Sequence, residues 1–172
     1  MRFTTSKVSH GILGTVPFLL ALLGAVLANL SFGFSFDINA APPFTLIVIF
    51  FWVARRPVLL PSIAVLFIGL WHDALTGAPL GLSSLLLLMA RAMITEQNVI
   101  VFSQSFLLGW IGFAPICVVL TFLEWGVISW VQGDMMTLQP FLVQILLGVL
   151  AYPPIVALCG WLDYVLFGIR KG

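Results

Sequence analysis

Phe67-Ile-Gly-Leu-Trp-His-Asp-Ala-Leu-Thr-Gly-Ala-Pro-Leu-Gly81 is the stretch whose reading decides the fold. One apolar run enters it from Pro57 and another leaves it at Leu80. Between them, Gly77 suits a helix C-terminus and Pro79 blocks continuation, so the chain reverses here. Gly69 has no Cβ and lets a neighbouring helix approach closely. Asp73 is expected to cap the following turn, its oxygens accepting N–H groups from the Thr76–Gly77 region. Gly77, Pro79 and Gly81 then fix a compact re-entry. The stretch reads as a helical hairpin, architectural in itself or presenting a surface to a partner's membrane helix.

Outward from this hairpin the chain keeps one character. Its 172 residues are 62% hydrophobic and 8% charged, with a mean hydropathy of +1.19. Such a composition belongs in lipid, where backbone polar groups must be satisfied within helices. Apolar runs over about residues 11–32, 43–54, 57–75, 80–94, 102–131 and 140–169 predict one all-α domain, a polytopic bundle of six transmembrane helices. These spans consume nearly the whole chain and leave no room for a soluble catalytic domain.

Charge gives the bundle a direction. Arg2 and Lys7 precede the first run, Arg55 and Arg56 separate the second and third, Arg91 ends the fourth, and Arg170 and Lys171 follow the sixth. The alternate loops hold Asp37, Asp73 and Asp134 and no basic residue. Positive charge is retained on the cytoplasmic side, so both termini are expected there. The first run is too long for the apolar region of a secretory leader, roughly 7–15 residues, so Val26-Leu27-Ala28 is read as uncleaved helix.

Local punctuation agrees. Ala21, Ala25 and Ala28 form a small-residue seam on the first helix. Pro42-Pro43 opens the second, which at roughly 18 Å is short for a crossing, and Arg55-Arg56-Pro57 makes a sharp turn after it. Gly109, Gly112 and Pro115 should bend the fifth run and Pro153-Pro154 the sixth, while Trp125 and Trp130 lie where interfacial aromatics sit. Cys117 and Cys159 fall inside apolar runs and read as small packing residues.

Catalytic signatures are missing: no His-Glu-x-x-His, no Gly-x-Ser-x-Gly and no phosphate-cradling glycine loop. The two lysines lie at the ends, which removes a buried Ser–Lys dyad, and seven scattered basic residues make no nucleic-acid patch. No cofactor or metal is expected, and the chain reads as a non-enzyme. His10 is read as interfacial. Ionisable groups within spans are the remaining candidates. Matching them by depth pairs Arg91 with Asp163 on the inner side and His72 or Asp73 with Glu124 on the outer side, His72 being the better partner for a carboxylate.

The Gly-x-x-x-Asp followed by Gly-x-Pro-Leu-Gly, over residues 69–81, resembles the rod shape-determining MreD family. The length, six spans, Pro-led second span and Arg56-Pro57 turn resemble it too. Val65 stands where that family often has another glycine, and His72 beside the aspartate is also a departure; both bear on how closely the helices pack at the turn. The resemblance implies a non-catalytic scaffold of the bacterial cell-elongation machinery in the inner membrane. Its implied partners are an MreC-like protein with one span and a periplasmic domain, the actin-like cytoskeletal protein, a wall polymerase, its transpeptidase and membrane lipid. Gly69, His72, Asp73, Gly77, Pro79 and Gly81 become its motif for structure or partner contact.

A rival reading is the substrate-binding membrane subunit of an energy-coupling-factor vitamin transporter. Those subunits have six spans and small residues in the first, and the MreD family resembles them in fold. A vitamin site would line an outer cavity with polar and aromatic side chains, for which the outer half offers His72, Asp73, Glu124 and tryptophans.

Overall fold

The computed structural model describes residues 5–29, 42–96, 105–133 and 135–167, with side chains of 5–14, 29 and 167 left aside. Arg2, Asp37, Asp134, Arg170 and Lys171 lie outside the described residues, as do the side chains of Lys7 and His10. Among the described residues the chain forms six α-helices and no strand. They are α1 (Thr5–Asn29), α2 (Phe44–Arg55), α3 (Ser62–Thr76), α4 (Leu82–Glu96), α5 (Phe106–Gln132) and α6 (Gln139–Phe167). Within them, Phe106–Gln132 and Gln139–Leu166 are long and apolar enough to cross a membrane; Thr15–Ala28, Phe44–Arg55 and Ser62–Thr76 are shorter apolar helices.

The centre of the molecule is α2. Every residue from Thr45 to Val53 is buried, because α1, α4 and α6 pack around it and α5 touches it as well. A helix apolar on all sides needs such a place. This accounts for its 12 residues, roughly 18 Å, which the sequence leaves short of a crossing. Small residues admit the neighbours. Ala21 and Ala25 on α1 are wholly buried, and a Cβ on Gly24 would stand 3.3 Å from the Thr45 amide nitrogen. The expected small-residue seam is therefore a real contact surface, between α1 and α2. Gly148 does the same for α6, where a Cβ would stand 2.9 Å from Pro43 Cγ and 3.3 Å from Cys117 Sγ. Cys117 and Cys159 are both free and buried.

The third helix begins later than the apolar run suggests. Residues 57–60 form a turn, closed by the Leu59 amide donating to the Arg56 carbonyl at 3.0 Å, and Pro61 is the N-cap of α3. Proline fits the edge of a helix and disfavours helix before it, so Pro57 and Pro61 together push the start to Ser62. By contrast α5 and α6 run through their prolines, Pro115, Pro153 and Pro154. A proline at position 153 cannot donate to the Val149 carbonyl one turn earlier. The Trp110 indole of α5 takes that place, donating from Nε1 to the Val149 oxygen at 3.0 Å. The freed acceptor thus becomes a link between α5 and α6.

Candidate functional site at the α3–α4 turn

The hairpin read from the sequence is present, and its tightest point is Gly69. A Cβ there would fall inside the backbone N and Cα of Ser84. The Ser84 hydroxyl donates to the Leu66 carbonyl at 3.1 Å, so the two backbones are also bonded across the contact. Val65, the departure from the glycine pattern, is wholly buried and does not prevent the approach.

One turn later stands Asp73, 1% exposed. Its carboxylate spans the reversal: Oδ2 accepts the Gly81 N–H at 2.7 Å and Oδ1 accepts the Ser83 N–H at 2.9 Å. The expectation that it would bind N–H groups of Thr76–Gly77 is corrected. The Gly77 amide donates instead to the backbone carbonyl of Asp73 at 3.0 Å, closing α3. The donors in need of an acceptor are those at the start of α4, where the helix supplies none and its dipole favours an anion. Asp73 therefore serves as the N-cap of the next helix, from ten residues away in sequence. Charge-assisted bonds of this kind are shorter and stronger than neutral ones.

Gly77 and Gly81 sit at φ 69° and 98°, where an L side chain is strained, which is why both ends of the turn carry glycine. Pro79 lies between them, its carbonyl accepting the Leu82 amide at 3.1 Å. His72 Nδ1 shares a hydrogen bond with the Ser83 hydroxyl at 3.1 Å, and the Thr76 hydroxyl donates to the His72 carbonyl at 2.9 Å. The six motif residues are thus gathered in one turn. Leu80 at its tip is 78% exposed. Sequence reasoning missed Ser83 and Ser84, although two hydroxyl residues opening an otherwise leucine-rich helix were a legible sign of bonding there.

The depth-matched charge pairs are not formed. Asp163 does not meet Arg91; it accepts a hydrogen bond from Arg56 Nε at 2.9 Å, with Arg55 Nη1 3.6 Å away. The level along the bundle was right and the direction around it was wrong, because α6 packs on α2 while α4 packs mainly on α3 and α2. Arg91 donates from Nε to Ser62 Oγ at 3.1 Å and from Nη1 to the Pro57 carbonyl at 3.4 Å. It fastens the far end of the same α3–α4 pair that Asp73 fastens at the turn. Glu124 does not pair with His72 or Asp73, whose polar atoms are taken up in the turn. Its carboxylate accepts from Gln144 Nε2 of α6 at 3.4 Å.

Both carboxylate oxygens of Asp73 are engaged by backbone, so its geometry is that of a lock on the hairpin. No three His, Cys, Asp or Glu side chains group as metal ligands among the described residues. No protein-family model matches this chain, and no significant similarity links it to a curated protein or a solved structure.

Proposed function

We propose that this chain is a six-span scaffold of the bacterial inner membrane, with both termini cytoplasmic, that helps position peptidoglycan synthesis during cell elongation as the MreD resemblance implies. The observation that carries this reading is the commitment of Asp73 to backbone amides. The most distinctive motif of the sequence is spent on holding two helices at a fixed separation. A rigid hairpin with an exposed tip suits a part that positions other proteins. A broad apolar surface supports the membrane setting: Leu142, Leu146, Leu150, Leu158, Trp161 and Tyr164 of α6 are all exposed, far more apolar surface than water tolerates. Partners reach such a chain chiefly through membrane helices and short loops. The implied set is an MreC-like single-span protein, the actin-like cytoskeletal protein, the wall polymerase and its transpeptidase.

Depletion in the rod-shaped host, with cell shape imaged and vitamin uptake measured in parallel, tests the reading. Rounding and swelling with uptake intact is the expected result. Normal rods that lose uptake of one vitamin would replace the scaffold by a transporter subunit. Sidedness is tested separately. A cysteine placed by Asp134→Cys should be labelled from outside intact cells, and one placed by Glu96→Cys should not; the reverse pattern inverts the topology.

A further inference from the structure

A second place in the molecule joins charge to an apolar cleft. Phe50, Phe51, Ala54 and Arg55 of α2, Ser105, Phe106 and Gly109 at the start of α5, and Tyr152 and Val156 of α6 enclose it. Its walls are fixed. Tyr152 stacks on Phe113 at 4.8 Å between centroids and meets Phe50 edge-on at 6.0 Å, while Phe50 meets Phe113 edge-on at 5.4 Å. The cleft measures about 360 Å³ out to its open mouth. A cleft of that size has room for part of one acyl chain.

Arg55 stands in the wall with donors to spare. Its guanidinium lies over the Phe51 ring, 4.9 Å from the centroid, and Nη1 is 3.6 Å from Asp163 Oδ2, too far for a hydrogen bond. Asp163 gives its short contact to Arg56. Among the described residues, two guanidinium groups thus face one carboxylate, and one of them keeps its hydrogen-bonding fork available. A planar fork of N–H donors matches the oxygens of a phosphate.

The geometry points to this cleft as a binding site for an anionic phospholipid, one acyl chain lying along Phe50, Phe106 and Tyr152 and the headgroup phosphate held by Arg55. The inference rests on the membrane reading, which puts Arg55 and Ser105 at the cytoplasmic end of their helices. Basic pockets between membrane helices on that side are suited to anionic headgroups. The shared chemistry is a phosphate anion beside an apolar groove, and of its two sources, membrane lipid or soluble phosphate, the groove favours the lipid.

Native mass spectrometry of the full-length protein tests this. The protein is released from detergent micelles doped with equal amounts of phosphatidylglycerol and phosphatidylcholine of the same acyl chains. The wild type should retain phosphatidylglycerol over phosphatidylcholine by about fivefold, the effect of one basic residue near an anionic lipid. Arg55→Gln should erase the preference and Arg55→Lys should keep most of it. Ala54→Phe, which fills the cleft and leaves Arg55 in place, should reduce retention of both lipids. Inorganic phosphate at millimolar concentration should not displace the lipid. Equal retention of the two lipids by the wild type overturns the site. So does an unchanged preference in Arg55→Gln, or undiminished retention of both lipids in Ala54→Phe, in proteins with native helix content by circular dichroism. Displacement by inorganic phosphate alone overturns the lipid in favour of a soluble anion. If Arg55→Gln does not fold, Ala54→Phe and the phosphate competition decide. Cell shape is not read in this experiment, so its failure leaves the scaffold proposal standing, and the reverse holds.

Discussion

The α3–α4 and α5–α6 hairpins are built on opposite plans. The first has two helices of 15 residues each, in contact through a bare backbone at Gly69 and bonded at the turn by Asp73 and at the far end by Arg91. The second has helices of 27 and 29 residues, linked mainly by the Trp110–Val149 and Gln144–Glu124 bonds and a Trp125 indole donating to the Met136 carbonyl at 3.1 Å. Much of its surface is uncovered: Leu107, Ile111, Leu142, Leu146 and Leu150 are all exposed. Polar bonding and close packing are concentrated where the helices are short. Uncovered apolar surface is common to both, since Ile63, Phe67, Trp71 and Leu85 of the short pair are exposed as well. What separates the two is how each pair of helices is held together.

The sharpest break is Asp73→Ala. The half-buried amide of Gly81 and the buried amide of Ser83 lose their acceptor, at about 1–3 kcal/mol each. Unfolding of the purified protein in mixed micelles should show a loss of about 3 kcal/mol or more, with Asp73→Asn intermediate because it keeps one acceptor. A wild-type midpoint in Asp73→Ala would remove the cap from the account of the hairpin. Gly69→Ala comes next, at about 2–3 kcal/mol, since the added methyl must push α4 away from α3. Its restoration by a compensating change on α4 would have to involve Ser84, and the larger Gly69→Leu should be worse.

A smaller effect lies between the hairpins. Arg56→Gln and Asp163→Asn should each destabilise slightly, and the double variant should show a coupling of about 1 kcal/mol, fitting a pair in which Asp163 is 14% and Arg56 41% exposed. Additivity of the two, with coupling appearing instead between Arg91 and Asp163, would reinstate the depth-matched pair. The smallest effect belongs to Leu146→Ala. At 60% exposure it should change stability by less than about 0.5 kcal/mol, and a large loss would mean that α6 is covered in the folded protein after all.

The difference between hairpins also separates what the sequence revealed from what it concealed. Gly69, Gly77, Pro79 and Gly81 announce themselves because each answers a local steric demand, and the turn stands where they put it. Helices followed from apolar runs, with proline moving the start of α3 to Ser62. The centrality of α2 was foreshadowed by its shortness and its unbroken apolar character. What stayed hidden was direction around the bundle. Depth along a helix is counted in residues, so Asp163, Arg91 and the Arg55-Arg56 turn were all correctly placed near one level. Which of them meet depends on which helices are neighbours, and that is set by packing that no single segment encodes. The Asp73 acceptor was found but its donors were misassigned, for the nearest amides in sequence were already used in closing α3.

The burial of α2 bears on how the chain is made. It leaves the ribosome before α4, α5 and α6, the helices that later cover it. With apolar residues on all sides, it has no polar face to present until they arrive. At roughly 18 Å it is also shorter than a bilayer core of roughly 30 Å. Its cover is completed when α4, α5 and α6 follow, α6 bringing Asp163 to the Arg55-Arg56 turn at its end. The cover over α2 is thus completed by segments that follow it in the chain, and the middle of this bundle closes only after its second helix is made.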